Sequence, residues 1–252
     1  MQEVFAQSYE NYGSHKIARE LQRREDMETA CRNTVAAAMR EMGLKSRIRK
    51  KFTPTTTVVD PSREPAPNLL NRDFTASAPN RKWVTDITYL ATAAGWVYLA
   101  VVMDLFSRKI VGWAISPSLA TELVSQALRQ AIHTRRPKGS ELLHHSDRGC
   151  QYTSHDYQSI LRTLGVSCSM SHTGCCYDNA AMERFFWSLK HEWTNHEQYA
   201  DLEQARTSVF KYLEMFYNSN RLHQTLGYQS PNDFEAQHMT DTQAENAPAQ
   251  AA

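Results

Sequence analysis

Long apolar runs are missing from this sequence of 252 residues. No stretch approaches the roughly 20 apolar residues that a membrane-spanning helix needs, so we expect no membrane partner. The N-terminus lacks the basic and apolar regions of a secretory signal. Its five cysteines are an odd number, which does not suit a disulfide framework. These absences predict a cytoplasmic protein with free thiols.

Net charge is also small, at +1, but it is unevenly distributed. Residues 1–52 contain 11 Lys and Arg against 7 Asp and Glu, whereas the remainder contains 17 against 20. A basic segment attached to a mildly acidic body is typical of a module that binds a polyanion. Ordinary fluctuation in charge would produce the same imbalance, so this observation alone favours nucleic acid only weakly.

The basic segment has the pattern of two short helices, at about 14–24 and 33–42. Asn33 is a candidate N-cap and Gly43 a candidate stop for the second helix. A basic arm follows, made of Lys45, Arg47, Arg49, Lys50 and Lys51. This arrangement predicts either a helix-turn-helix with a phosphate-contacting extension or a helical hairpin with a solvated basic tail.

Residues 53–80 read as a linker, because five of the nine prolines fall there. Beyond it, three strands at 83–90, 96–104 and 109–115 predict an antiparallel meander. Helices and strands then alternate: helix 121–133, strand 141–145, helix 154–164, strand 166–169, and a helix that contains 182–190. This order predicts an α/β fold with a mixed sheet flanked by helices.

The C-terminal part is predicted to be helical and then disordered. Asp201 is a candidate N-cap with Gln204 three positions into a helix that reaches Phe216. A last short helix opens at Pro231, and no apolar period continues beyond residue 236. We therefore expect four regions: a helix-turn-helix-like segment 1–52, a linker 53–80, a core with C-terminal helices 81–235, and a disordered tail 236–252.

Three acidic residues stand out as candidates for chemistry. Asp86 lies inside an apolar strand, where an ionised carboxylate is costly unless it is compensated. Asp147 follows the end of another strand, and Glu183 opens an amphipathic helix. If the three meet, their oxygen atoms suit two Mg²⁺ or Mn²⁺ ions. Such ions activate a water or a 3′-hydroxyl and stabilise the leaving oxygen of a phosphoryl transfer.

The segments around these residues resemble a known family. Trp83–Tyr89, His145–Gly149 and Tyr177–Phe186 are similar to the catalytic core of insertion-sequence transposases of the OrfB type, relatives of retroviral integrases. Thirty-five residues separate Asp147 from Glu183, the spacing of that DDE group. The C-terminal Tyr217–Phe234 matches as well, and the helical segment after Tyr12 matches more loosely.

The resemblance implies a specific fold and reaction. It implies an RNase H-like core with a mixed five-stranded sheet, plus a small N-terminal helix-turn-helix-like domain. It also implies nicking of transposon ends and transfer of the freed 3′-hydroxyl into target DNA, with Asp86, Asp147 and Glu183 as catalytic metal ligands. Lys190, Arg148 and Asn179 would contact DNA or support the site. Such proteins are expected to act as homo-oligomers on DNA, with an upstream-frame, OrfA-type partner.

Two other functions are open on the sequence. A plain RNase H-type nuclease shares the fold, and a non-catalytic DNA-end-binding regulator, the product of a truncated or decayed element, shares the binding regions. Two other predictions concern neighbouring residues: Asp178 is interpreted as an N-terminal cap or a dipole partner of the helix that carries Glu183, and His145 as a residue near the site. The adjacent Cys175 and Cys176 do not reproduce the spacing of a zinc knuckle.

Overall fold

Residues 82 to 116 fold as an antiparallel meander in a computed structural model of the chain, as the sequence predicts. The structure describes residues 1–23, 30–46, 65–172 and 175–245. The three strands are β1 Lys82–Thr92, β2 Gly95–Asp104 and β3 Ile110–Ser116. Thr92 pairs with Gly95 at the tight β1–β2 connection, where Gly95 has a φ of +122°. Residues that have a side chain rarely adopt that backbone conformation, so glycine suits this turn.

Two further strands complete a mixed five-stranded sheet in the order β3-β2-β1-β4-β5. β4 Leu143–Ser146 runs parallel to β1, and β5 Ser167–Met170 runs parallel to β4. The helix α4 Thr121–Arg135 connects β3 to β4, and α5 His155–Thr163 connects β4 to β5. Parallel pairs need crossovers of this kind. The predicted α/β class with a mixed five-stranded sheet is therefore confirmed.

The main core lies where α4 packs on the sheet. Trp83 of β1 and Val124 of α4 are both buried in one apolar cluster. Gly112 of β3 allows the close approach, since a Cβ atom there would lie 2.2 Å from the Ala127 carbonyl oxygen and 2.7 Å from the Ala131 nitrogen. Both neighbours are backbone atoms that cannot move aside cheaply. This contact fixes α4 against the sheet that carries the candidate site.

After the sheet the chain continues as helices. They are α6 Ala180–Glu192, a 3₁₀ turn Thr194–His196 and α7 Leu202–Phe210. The Gln204 backbone N–H donates to Asp201 Oδ1 at 2.9 Å, which confirms the predicted N-cap of α7. A π-helix, Lys211–Tyr217, follows α7 directly; the apolar period predicted a continuous helix here but not its wider turns.

The described parts of residues 1–51 and 212–252 form a unit of their own, and those of 52–211 form another. The first contains α1 Gln2–Gln7, α2 Ser14–Gln22, α3 Arg32–Glu41 and α8 Pro231–Glu245. Tyr12 connects its two sequence segments, because its hydroxyl donates to the Asn220 carbonyl at 3.0 Å and accepts from the Leu222 N–H at 2.8 Å. The prediction instead grouped 212–235 with the core, because an apolar stripe predicts a buried face but not its partner.

Several predicted boundaries differ from the structure. The N-cap of α3 is Cys31 rather than Asn33, and no side chain caps this helix. α8 continues to Glu245, although disorder was predicted from residue 236; residues 246–252 lie outside the described part. Residues 65–80 contain neither helix nor strand, as predicted for the linker, yet Leu70 is buried. None of the described helices combines the length and apolarity that crossing a membrane would take.

Candidate active site

Asp86 and Asp147 lie at equivalent positions of two parallel strands. β1 pairs with β4 only from Lys82, opposite Leu143, to Val84, opposite His145. Asp86 lies inside β1 and Asp147 directly after β4, and each comes two residues after the last residue that pairs between these two strands. This is the carboxyl end of β4, and functional side chains commonly gather at the carboxyl ends of parallel strands. The structure therefore brings two of the three predicted carboxylates to the same edge.

Local backbone contacts orient these two carboxylates. The Ile87 N–H donates to Asp86 Oδ1 at 2.8 Å, and the Gly149 N–H donates to Asp147 Oδ1 at 2.9 Å. A Cβ atom on Gly149 would lie only 3.1 Å from Asp147 Oδ1 and 3.0 Å from Gln151 Oε1. The glycine in the predicted motif thus leaves room for the Asp147 carboxylate to fold back on its own turn.

Glu183 is the third carboxylate, and its charge acts on Asp86. It lies in the first turn of α6 and is exposed. Burial raises the pKa of Asp86 well above its ordinary value, and the charges of Asp147 and Glu183 raise it further. Lys190, on the same helix, acts in the opposite direction. The charges of both other carboxylates therefore act on Asp86.

The oxygen atoms of the three carboxylates suit a divalent cation, but the side chains are not close enough together to hold one. Three carboxylates supply only oxygen donors, which Mg²⁺ and Mn²⁺ prefer, and their mutual repulsion would be relieved by a cation. In the part of the chain that the structure describes, however, no three His, Cys, Asp or Glu side chains are close enough to hold one ion. The three carboxylates would therefore have to draw together to hold an ion.

Asn179 connects the helix of Glu183 to the strand of Asp86. Its Nδ2 donates to the carbonyl oxygen of Thr85 at 3.1 Å, just beyond the last residue of β1 that pairs with β4. The side chain is buried, with 6% of the residue exposed. Of its two predicted roles, DNA contact and support of the site, this burial favours support.

Arg148 belongs to a second set of contacts behind Asp147. Its Nε donates to the Ser171 carbonyl at 2.7 Å. His145 is fully buried between Ser169 Oγ, at 2.8 Å from Nδ1, and Ser171 Oγ, at 3.0 Å from Nε2. Burial lowers the pKa of His145 to about 4, although Asp178 acts in the opposite direction. A neutral His145 thus holds the strand end that leads to Asp147, consistent with its predicted place near the site.

Asp178 has a role that the sequence did not predict. It does not cap α6, whose N-cap is Asn179. Its carboxylate instead accepts from the His172 N–H at 3.0 Å, from Arg72 Nε at 2.7 Å and from Asn68 Nδ2 at 2.9 Å. The His172 N–H and then Arg72 lower the pKa of Asp178. The sequence did not predict the contacts with Arg72 and Asn68, because these residues lie 106 and 110 positions away in the chain.

Lys190, predicted to contact DNA, lies close enough to Asp86 for the two charges to interact. Its ammonium is 4.5 Å from the centroid of the Tyr89 ring, a cation–π distance. Burial lowers the pKa of Lys190, and Asp86 opposes that shift. In the other unit, Lys45 is exposed. The remaining residues of the predicted basic arm, Arg47, Arg49, Lys50 and Lys51, lie outside the described residues.

Sequence comparisons match both parts of the chain to known families. Models of the integrase core domain match residues 76–176 and 164–231, and a model of an HTH-like domain matches residues 1–52. Transposase InsF for insertion sequence IS3A of Escherichia coli strain K12 is 43% identical over 234 residues, covering 92% of this chain and 79% of InsF. The uncharacterized 31 kDa protein of insertion element IS600 from Shigella sonnei is 40% identical over 225 residues, covering 89% and 81%.

A solved structure supports the fold. The chain resembles a protein in the cryoEM structure of the simian T-cell lymphotropic virus intasome in complex with PP2A regulatory subunit B56 gamma, with a TM-score of 0.53. The match has 16% identity and covers 77% of this chain and 63% of that chain, so it bears on the fold alone. Taken with the matches along the sequence, these findings show that the chain belongs to the insertion-sequence transposases with an integrase core, the family of InsF.

Proposed function

We propose that this transposase nicks the ends of its own insertion sequence and joins the freed 3′-hydroxyl to target DNA, in a reaction that depends on divalent metal ions. The observation that carries this proposal is the equivalent register of Asp86 and Asp147, with Glu183 close enough to raise the pKa of Asp86. Carboxylates that repel one another at a sheet edge are costly for the fold, and a role in binding cations accounts for that cost.

Asp86, Asp147 and Glu183 are the residues that would hold Mg²⁺ or Mn²⁺, as two ions. The ions would lower the pKa of an attacking water or hydroxyl and stabilise the leaving oxygen of an in-line displacement. The protein's own residues position the set. Asn179 ties α6 to β1, and Arg148 ties the turn that contains Asp147 to the segment after β5.

Lys190 is proposed to bind a DNA phosphate beside the carboxylates. It is partly exposed, it lies two turns from Glu183 on the same face of α6, and its charge opposes that of Asp86. The basic arm of Lys45, Arg47, Arg49, Lys50 and Lys51 would contribute salt-dependent contacts with the phosphate backbone. We further propose action in the cytoplasm as a homo-oligomer on paired ends, with an upstream-frame, OrfA-type partner.

The test is an assay of nicking and joining on duplexes that carry the sequences flanking the gene, with Mg²⁺ and with EDTA. We expect both products with Mg²⁺ and neither with EDTA, and we expect Glu183→Gln to abolish both while it still binds DNA. Joining that survives Glu183→Gln would contradict the proposed role of the carboxylates. Nicking without joining would favour an RNase H-type nuclease, and binding without nicking would favour a non-catalytic regulator.

A further inference from the structure

An exposed tryptophan lies on the β1–β2 hairpin, whose first strand carries Asp86. Trp96, near the start of β2, is 57% exposed, which is costly for so large an apolar ring. It pairs with Ala91 across the hairpin, so Tyr89 is its diagonal neighbour on the same face of β1. The two rings meet edge to face, with centroids 5.0 Å apart and planes at 87°. Trp96 is thus held from one side by an aromatic ring.

Tyr89 connects this tryptophan to the active site. The Lys190 ammonium lies 4.5 Å from the centroid of the Tyr89 ring, and the charge of Lys190 lowers the pKa of Asp86. Trp96, Tyr89 and Lys190 are therefore a contiguous set that extends from the carboxylates to an exposed aromatic surface. We call these three residues the aromatic–lysine cluster.

The hairpin tip that presents Trp96 is anchored to the rest of its unit. The Ala93 N–H donates to the Tyr199 carbonyl at 2.8 Å, and the Ala94 N–H donates to the Ala200 carbonyl at 3.1 Å. Within the hairpin, the Thr92 hydroxyl donates to the Gly95 carbonyl at 2.7 Å. These bonds preorganise the tip, so the exposure of Trp96 does not depend on a loose loop.

We propose that the aromatic–lysine cluster binds DNA that leads into the active site, with one base stacked on Trp96 and a phosphate nearer the carboxylates bound by Lys190. This inference rests on the proposed function, and it adds a residue that positions the DNA. A base offers a flat π-face and an adjacent negative charge, the two features that an aromatic ring beside an ammonium recognises. A protein that docked on Trp96 would not need the Lys190 ammonium and the carboxylates nearby.

The experiment measures DNA affinity and tests whether the loss caused by Trp96→Ala and the loss caused by an abasic nucleotide are additive. Binding is measured in the Glu183→Gln background with Mg²⁺, on duplexes that carry the flanking sequences and an abasic nucleotide moved one position at a time near the end. We expect Trp96→Ala to weaken binding to intact DNA by about 5- to 100-fold. At the stacked position, the abasic DNA should bind the two proteins equally.

A further variant separates stacking from a general structural effect. Phe210→Ala removes another exposed aromatic ring of the same unit, 48% exposed on α7, and should leave affinity unchanged. A loss for Trp96→Ala that is equal at every abasic position would show an indirect effect and overturn the inference.

The outcomes also distinguish this inference from the proposed function. If the wild type nicks and joins but Trp96→Ala and the abasic nucleotide never combine non-additively, the cluster does not bind a base and the proposed function stands. If the wild type never nicks, the proposed function fails, while a position-specific effect would still establish the stacking. If Trp96→Ala changes only the oligomeric state in sedimentation, Trp96 contacts protein and the inference is wrong.

Discussion

Asn179 donates a hydrogen bond to the carbonyl of Thr85, the residue immediately before Asp86. This bond joins the start of α6, which carries Glu183, to the open edge of β1 where pairing with β4 ends. It explains how a residue 97 positions from Asp86 along the chain can act on the pKa of that aspartate. The site therefore depends on side chains that hold elements together as well as on the carboxylates themselves.

Asp86→Asn should stabilise the protein and inactivate it. The folded state raises the pKa of Asp86 through burial and the charges of Asp147 and Glu183, so the ionised form is disfavoured there. The stability gained by the variant should thus be absent below pH of about 3.9 and grow as pH rises. Nicking should fall at least roughly 100-fold. Urea unfolding at several pH values and the nicking assay measure both effects; an equal or lower stability at pH 7 would contradict the account.

Gly149→Ala should impair nicking while it leaves the fold intact. The new Cβ atom would lie 3.1 Å from Asp147 Oδ1, so the carboxylate must shift by a few tenths of an ångström or more. We expect nicking to fall roughly 10- to 100-fold, with a change in the free energy of unfolding within about 1 kcal/mol. Wild-type rates in the folded variant would show that this glycine does not orient Asp147, and an unfolded variant would contradict the expected stability.

Asp178→Asn should destabilise the catalytic unit. The carboxylate accepts from Arg72, Asn68 and the His172 backbone, and the amide can replace only part of this set. We expect a loss of roughly 1.5–3 kcal/mol in the free energy of unfolding, the range for a hydrogen bond to a charged group. Asp156→Asn is the matched control, because that side chain is 86% exposed and should change stability by less than about 0.5 kcal/mol. Equal effects of the two variants would refute the role of Asp178.

Because of His144, the free energy of unfolding should decrease as the pH falls below about 6.5. Burial, and then the charge of His145, lower its pKa to about 3. The unfolded chain binds a proton near pH 6.5, so the stabilisation is full above that pH and is lost as pH falls toward 3. One such histidine contributes a slope approaching about 1.4 kcal/mol per pH unit. His144→Gln keeps a partner for the Tyr157 hydroxyl, which lies 3.1 Å from His144 Nε2.

Urea unfolding of wild type and His144→Gln at pH 7, 6 and 5 measures the difference in slope. Comparing the two proteins cancels the contributions of Asp86 and other groups that both share. We expect the variant to depend less steeply on pH across this range. Parallel curves would show that His144 is not the titrating group.

Much of this architecture follows from local patterns, and the limits of prediction are also physical. The strands and the Asp201 cap depend on residues that are close together in the sequence, so their positions were predicted within a few residues. The roles of Asp178 and Asn179 depend on partners more than ninety residues away, which no local pattern encodes. The grouping of 212–245 with the N-terminal helices was not predicted for the same reason. Predictions for 47–64 fall outside the described residues.

The most direct measurement of the central claim is a crystal structure with Mn²⁺ and bound end DNA, with the ions located from their anomalous scattering. The account predicts Mn²⁺ at the edge where β1 and β4 separate, bound by Asp86 and Asp147, with α6 or the Glu183 side chain moved inward to complete the ligands. Anomalous peaks elsewhere, or Glu183 directed away from an ion held by the two aspartates, would contradict it.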